Sequence, residues 1–227
     1  IKDTVPFLDI LAAQPVATRG GRTPLEKYAL GIWSTHFWDK EKAYYCRHGD
    51  YLGADDRTGS AEGYPAHLGA YFRVWAAAHL HSKDATFRAE IEGIFEKVLA
   101  MAISRTEKYG FFPFTFAPEL KGRSPGKQAS GQSIRLAGHA AEVAGQLDKA
   151  APEIAAKLRK LAHLHLKDRK SPSAPIEPAP RFRDLSRSTT PGPHADAILQ
   201  NVALYRQYKD AEFLKVAGLH ARQAAAM

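Results

Sequence analysis

One cysteine, Cys46, is all the chain contains, so no internal disulfide staples it and the redox compartment stays open. No apolar run approaches the ~20 residues that a bilayer-crossing helix needs. The first residues lack the basic, apolar, small-residue order of a retained signal peptide. There is no phosphate-cradling Gly-rich loop, no dinucleotide fingerprint and no nucleophile elbow. Those absences argue against P-loop nucleotide hydrolysis, Rossmann-type redox chemistry and α/β-hydrolase catalysis. Metal spacing is poor as well: His79 and His81, like His163 and His165, stand two apart on helices and point in different directions, where helical zinc sites use spacings of three or four. The sequence therefore identifies no metal and no cofactor.

What the chain does have is helix. Of its 227 residues 44% are hydrophobic, ample for a packed core. From Gly59 to Glu119 the pattern predicts a helical hairpin: a nearly all-apolar helix over about 66–81, a tight Ser82-Lys83-Asp84 connection, and an amphipathic helix over about 85–104. In the first helix Leu68, Tyr71, Phe72 and Trp75 share one face while Ala70, Val74, Ala77 and Ala78 keep the other small or apolar, so burial on more than one side is expected. In the second, Phe87, Ile91, Ile94, Phe95, Val98 and Ala102 form one stripe opposed by Arg88, Glu90, Glu92, Glu96 and Lys97, the mark of a helix with one wet face. The order is inner helix, then outer helix.

Two more hairpins follow the same plan, with helices expected near 132–147 and 152–167, and near 195–208 and 211–226. The phrase K-D-A-x-F occurs at Lys83–Phe87 and again at Lys209–Phe213, and Asp148 occupies the turn between them. Asp84, Asp148 and Asp210 are each expected to cap the outer helix that follows. Upstream, Thr23-Pro24-Leu25-Glu26 has capping-box spacing with proline at the first helical position, and predicts a helix from there to Trp38. A short apolar piece at 5–13 precedes it. Long connections over 39–65, 108–131 and 168–194 separate the helices, and the last is too rich in proline to be helical. The chain opens at Ile1 and closes at Met227 inside a helical run without a stop signal, so residues 1–227 read as one helical domain and a fragment of a longer protein.

Tandem hairpins with an Asp-containing turn inside each pair, and aromatic loops between pairs, resemble the (α/α) toroids of carbohydrate-active enzymes. That group includes polysaccharide lyases, several glycoside hydrolase families and the acylglucosamine epimerases. Residues 33–46, WSTHFWDKEKAYYC, are similar to the group's phrase F-W-D-x-x-x-G-x-Y/F, with Ala43 in place of the turn glycine. HSKDATFRAEI and QYKDAEFLKVA are similar to its T-G-D-x-x-Y/F-L turns, with Lys83 and Lys209 in place of the glycine. The resemblance covers residues 24–227. It implies an all-α fold of repeated helical hairpins forming a partial or complete toroid, and a secreted or periplasmic glycan-active protein. It is architectural and carries no catalytic motif, so it fixes no reaction.

Three sets of residues offer chemistry. Glycoside hydrolysis needs two carboxyl groups, ~5 Å apart for retention or ~6.5–9.5 Å for inversion, and Asp50, Asp55, Asp56 and Glu62 of the first loop are available. The run Asp55-Asp56-Arg57-Thr58-Gly59 makes a solvent turn equally well. β-Elimination from a uronate instead needs a base for the proton beside the carboxylate, an acid for the leaving oxygen, and positive charge for the enolate-like transition state. Tyr64 and His67, at the entry of an inner helix, with Arg123 and His194 from later connections, are the catalytic candidates. A core aromatic and a helix-entry residue are the packing alternatives for the first two. Trp38, Tyr44, Arg47 and Arg181 are candidates for substrate binding, two as ring faces for sugars and two as cations for acid groups. These loops would share one rim if every connection from an outer to an inner helix emerges at the same end.

The net charge of +8 suits an acidic partner. With the loop arginines, it favours lyase-like cleavage of an acidic, uronate-containing polysaccharide or oligosaccharide. A glycoside hydrolase of the same architecture is one alternative. Another is a non-catalytic helical-repeat module binding glycan or protein, including the remainder of its own chain or a second subunit. Nucleic acid lacks any recognised motif.

Overall fold

The computed structural model describes residues 21–45, 65–109, 112, 130–166 and 192–227. Helix α1 (Pro24–His36) begins as its sequence requires: Thr23 Oγ1 accepts from the Glu26 N–H at 3.2 Å, and Glu26 Oε2 accepts from the Thr23 N–H at 2.7 Å, the reciprocal bonds of a capping box. The second carboxylate oxygen of Glu26 accepts from Ser82 Oγ at 2.6 Å. One glutamate thus caps α1 and ties it to the turn after the next helix, where Arg88 also donates to the Ser82 carbonyl at 3.0 Å.

Helix α1 stops two residues short of Trp38. Phe37–Asp39 (β1) instead pairs antiparallel with Tyr44–Tyr45 (β2), and Ala43 takes a left-handed backbone at φ 54°. Aromatic residues favour extended backbone, and Asp39 Oδ1 accepts from the Lys42 N–H at 3.0 Å to hold the turn. The change of direction carries Phe37 into the core, 1% exposed, with its ring centroid 5.9 Å from that of Trp75.

Three antiparallel hairpins follow: α2 (Pro65–His81) with α3 (Ala85–Tyr109), α4 (Ser130–Leu147) with α5 (Pro152–Leu166), and α6 (Gly192–Tyr208) with α7 (Ala211–Ala225). Helices α2, α4 and α6 pack side by side, α3 lies along α5, and each second helix packs on the first of its own hairpin. The side-by-side helices run parallel: Gly69 and Arg73 of α2 meet His139 and Glu142 of α4, and Gly138 of α4 meets Gln200 of α6. Glycine lets the first of these pairs close up, because a Cβ on Gly69 would stand 2.6 Å from the His139 ring.

The layer of α2, α4 and α6 is the more buried one. Among its described side chains α4 exposes only residues 145 and 146, whereas α5 exposes Pro152, Glu153, Ala156, Lys160 and His163. This is the inner and outer order that the apolar patterns predict. Trp75 is fully buried at the junction of α1, α2 and α3, where its Nε1 donates to the Ala29 carbonyl at 3.0 Å and its ring meets Phe95 edge-on at 5.7 Å. The indole thereby satisfies its one polar atom while filling the core. The spacing of two also sorts the paired histidines, His79 and His165 being buried while His81 and His163 are exposed.

Two of the three aspartate turns behave as caps. Asp84 Oδ1 accepts from the Thr86 N–H at 2.8 Å and Asp210 Oδ1 from the Glu212 N–H at 3.0 Å. Asp148 does not: its turn is longer, α5 opens only at Pro152, and the carboxylate pairs with Arg159 instead. Lys209, just before Asp210, is left-handed at φ 58° and donates its N–H to the Tyr205 carbonyl at 2.7 Å, an αL ending of the preceding helix. Among the described residues no helix is long and apolar enough to cross a membrane.

Candidate functional site

Each inner helix carries a single charge through its apolar stretch. Between Leu68 and Leu80 the one Lys, Arg, Asp or Glu is Arg73; between Leu136 and Leu147 it is Glu142; between Ala197 and Gln207 it is Arg206. A charge in a helix otherwise built for burial must be paired or face an opening. The parallel packing brings all three to one cleft of about 430 Å³, lined among the described residues by α2, α4 and α6. It therefore opens on the face of the inner layer that the outer helices do not cover.

Arg73 Nε lies 3.5 Å from Glu142 Oε1, His139 Nδ1 lies 3.9 Å from Glu142 Oε2, and the other side of the His139 ring lies 3.4 Å from Gln200 Nε2. Burial raises the Glu142 carboxyl, but His139, Arg73 and Arg206 outweigh it and hold the group below its ordinary value. The carboxylate is thus ionised at neutral pH. The Arg73 side chain is only 16% exposed. Arg206 is exposed. Gln200 is 6% exposed, and its Oε1, set against Gly138, has no hydrogen-bond partner among the described residues. Gln146, Gln207 and Leu199 complete the lining. Two guanidinium groups, one carboxylate and three amides beside an exposed leucine can hold a hydroxylated ligand that bears an acid group.

Of the residues singled out in the sequence, Tyr64, Arg47, Arg123 and Arg181 lie outside the described residues, as do Asp50, Asp55, Asp56 and Glu62. His67 stands in the first turn of α2 and is partly buried, and Trp38 lies in β1. His194 and Tyr44 are placed otherwise than expected. The start of α6 lies beside the end of α7 in their antiparallel hairpin, so His194, fully buried, sets its Nδ1 3.1 Å from Nδ1 of His220. It packs on the outer helix rather than facing a cavity. Burial, then the neighbouring His194, pushes His220 down to about 4, so the His220 ring is neutral at physiological pH. Tyr44 is 6% exposed, with the Arg105 guanidinium 4.6 Å from its ring centroid. The guanidinium covers that ring face.

Tyr44 of β2 meets Arg105 near the end of α3, and Thr106 of α3 lies 3.4 Å from His165 near the end of α5. Antiparallel pairing puts the starts of α2 and α4 at that same end.

Arg73, Glu142 and Arg206 were missed in the loop-centred reading of the sequence. The available signal was the lone charge in each inner helix. A second cleft of about 490 Å³ lies between α3 and α5 and is lined by Glu92, Glu96, Glu153 and Lys157, with Glu92 bound to the buried His79 at 2.7 Å. Among the described residues no three His, Cys, Asp or Glu converge as a metal would need. No model of a known protein family matches the chain, and neither the characterised proteins nor the solved structures hold a significant match to it.

Proposed function

We propose that the chain is an (α/α) toroid protein that acts on an acidic, uronate-containing polysaccharide by lyase-like β-elimination. The observation that carries this reading is the meeting of Arg73, Arg206 and ionised Glu142 in one cleft on the inner helices. A surplus of guanidinium charge there suits the carboxylate of a uronate unit held beside the reacting one. The toroid part draws support from the backbone. Among the described residues the left-handed non-glycine positions are Ala43 and Lys209, both at places where the phrases of the toroid group carry glycine, the residue for which that conformation is least costly. Lys83, the third such place, is not left-handed.

The chemical step falls to Tyr64 and His67 at the entry of α2 in this reading, with one abstracting a proton and the other serving the leaving oxygen. A second reading, recognition without cleavage, is favoured by Glu142: held ionised by its neighbours, it is unsuited to donate a proton. The two part in one assay. Intact protein incubated with polygalacturonate, alginate or a glucuronate-rich polymer should raise the absorbance of unsaturated uronate ends, and Tyr64→Phe or His67→Ala variants that stay folded should lose that rise. Binding without any rise would leave the module and remove the lyase.

A further inference from the structure

We infer that the cleft between α2, α4 and α6 is a subsite for one uronate unit, with the ligand carboxylate held by Arg206 and Arg73 while ligand hydroxyls meet Glu142, Gln146 and Gln207. The inference rests on the acidic-glycan reading and locates the acid-recognising element within it. The Arg73 guanidinium, 16% exposed, approaches Glu142 through Nε at 3.5 Å, a loose pairing that a ligand carboxylate can share. Arg206 influences Glu142 through its charge and makes no ion pair among the described residues.

Gln146 and Gln207 line the cleft as well, and their amides can both donate to and accept from ligand hydroxyls. Leu199, 57% exposed, offers an apolar surface for the C–H face of a sugar ring, and about 430 Å³ lies within the usual range of small-ligand sites. The charges also set the ligand's valence. Two arginines against one glutamate leave a single positive excess, which fits a monoanionic carboxylate, whereas a phosphate dianion would meet the ionised Glu142 at close range.

Titration calorimetry of the intact protein with a galacturonate trimer, a neutral hexose trimer and glucose 6-phosphate tests the subsite. The uronate trimer should bind roughly tenfold or more tightly than the other two, and Arg206→Gln should weaken it by a similar factor, the worth of a charge-assisted hydrogen bond. Arg206 is exposed, so an unchanged circular dichroism spectrum and melting temperature are expected for this variant. Arg206→Lys, which keeps the charge and loses the fork, should fall between. Failure of the wild type to bind the uronate trimer, equal binding of the neutral trimer, or indifference to Arg206→Gln would each overturn the subsite. Arg206-dependent uronate binding by a protein that cleaves no polymer would keep the subsite and remove the lyase reading. Full cleavage by Arg206→Gln with unchanged KM would do the reverse.

Discussion

Gly138 of α4 lies so close to Gln200 of α6 that a Cβ on the glycine would stand 2.3 Å from Gln200 Oε1 and 3.0 Å from its Cα. A side-chain atom can swing away, but a backbone atom moves only if the helix moves. Gly138→Ala should therefore destabilise the protein by about 1–3 kcal/mol, the usual cost of overpacking, as read by urea denaturation. Gly93→Ala in α3 is the control, because nothing lies within 4 Å of its Cβ position. There alanine should stabilise by about 0.5–1 kcal/mol. Equal effects at both sites would mean that the close approach of the inner helices carries no energy.

Trp75→Ala should cost about 3–5 kcal/mol, as is usual when a large aromatic is removed from a core. The indole is fully buried, and its loss also removes its hydrogen bond to the Ala29 carbonyl. A loss below ~1 kcal/mol in denaturant titration would show that the core around α1, α2 and α3 is not packed as described.

Lys209→Gly should stabilise the fold by about 0.5–1 kcal/mol, since a left-handed backbone strains any residue with a Cβ and glycine's extra freedom when unfolded offsets only part of the gain. Lys209 is exposed at φ 58°, and its one ring contact, with Tyr205, is 5.8 Å from the centroid. Ala43→Gly should act in the same direction and more weakly, because Ala43 is fully buried and the lost methyl leaves a gap. Thermal melts that fall rather than rise for Lys209→Gly would contradict the αL ending of α6.

Stability should decline as pH falls from about 6.5 to about 4. His165 is pushed down from 6.5 to about 4 by burial, and His220 likewise by burial and then by His194. Across that window the unfolded chain takes up protons that the folded chain refuses, so folding loses ground as acid is added and is indifferent to these groups above it. Urea midpoints near pH 7.5 and near pH 5 would show the decline, and His165→Leu should flatten it. A midpoint that rises toward pH 5 would place these rings in contact with water.

The hairpins could be read from the chain because helical periodicity is local: the stripe of Phe87, Ile91, Ile94, Phe95 and Val98 needs no knowledge of a partner. The capping box at Thr23 and Glu26 is equally local, whereas the bond from Glu26 to Ser82 joins residues far apart in sequence and was not legible. Asp148 was misread because its turn resembles the others in residue type but not in length. Tyr44 and His194 were misplaced for a related reason. Each was valued for what its side chain does when exposed, and each is buried by a residue from another element, Arg105 and His220. The cleft escaped notice because its three charges sit singly on three helices, and only parallel packing in the observed register joins them.

Acid-specific recognition of a sugar polymer is open to one measurement above all: the affinity of the intact protein for polygalacturonate at physiological salt, set against neutral dextran and against polyglutamate. A chain of net charge +8 will attract any polyanion at low ionic strength, and that attraction is screened as salt rises. Binding through the Arg73, Glu142 and Arg206 cleft should survive at physiological salt for polygalacturonate while polyglutamate and dextran are released. Equal retention of polyglutamate, or release of all three polymers together, would contradict it.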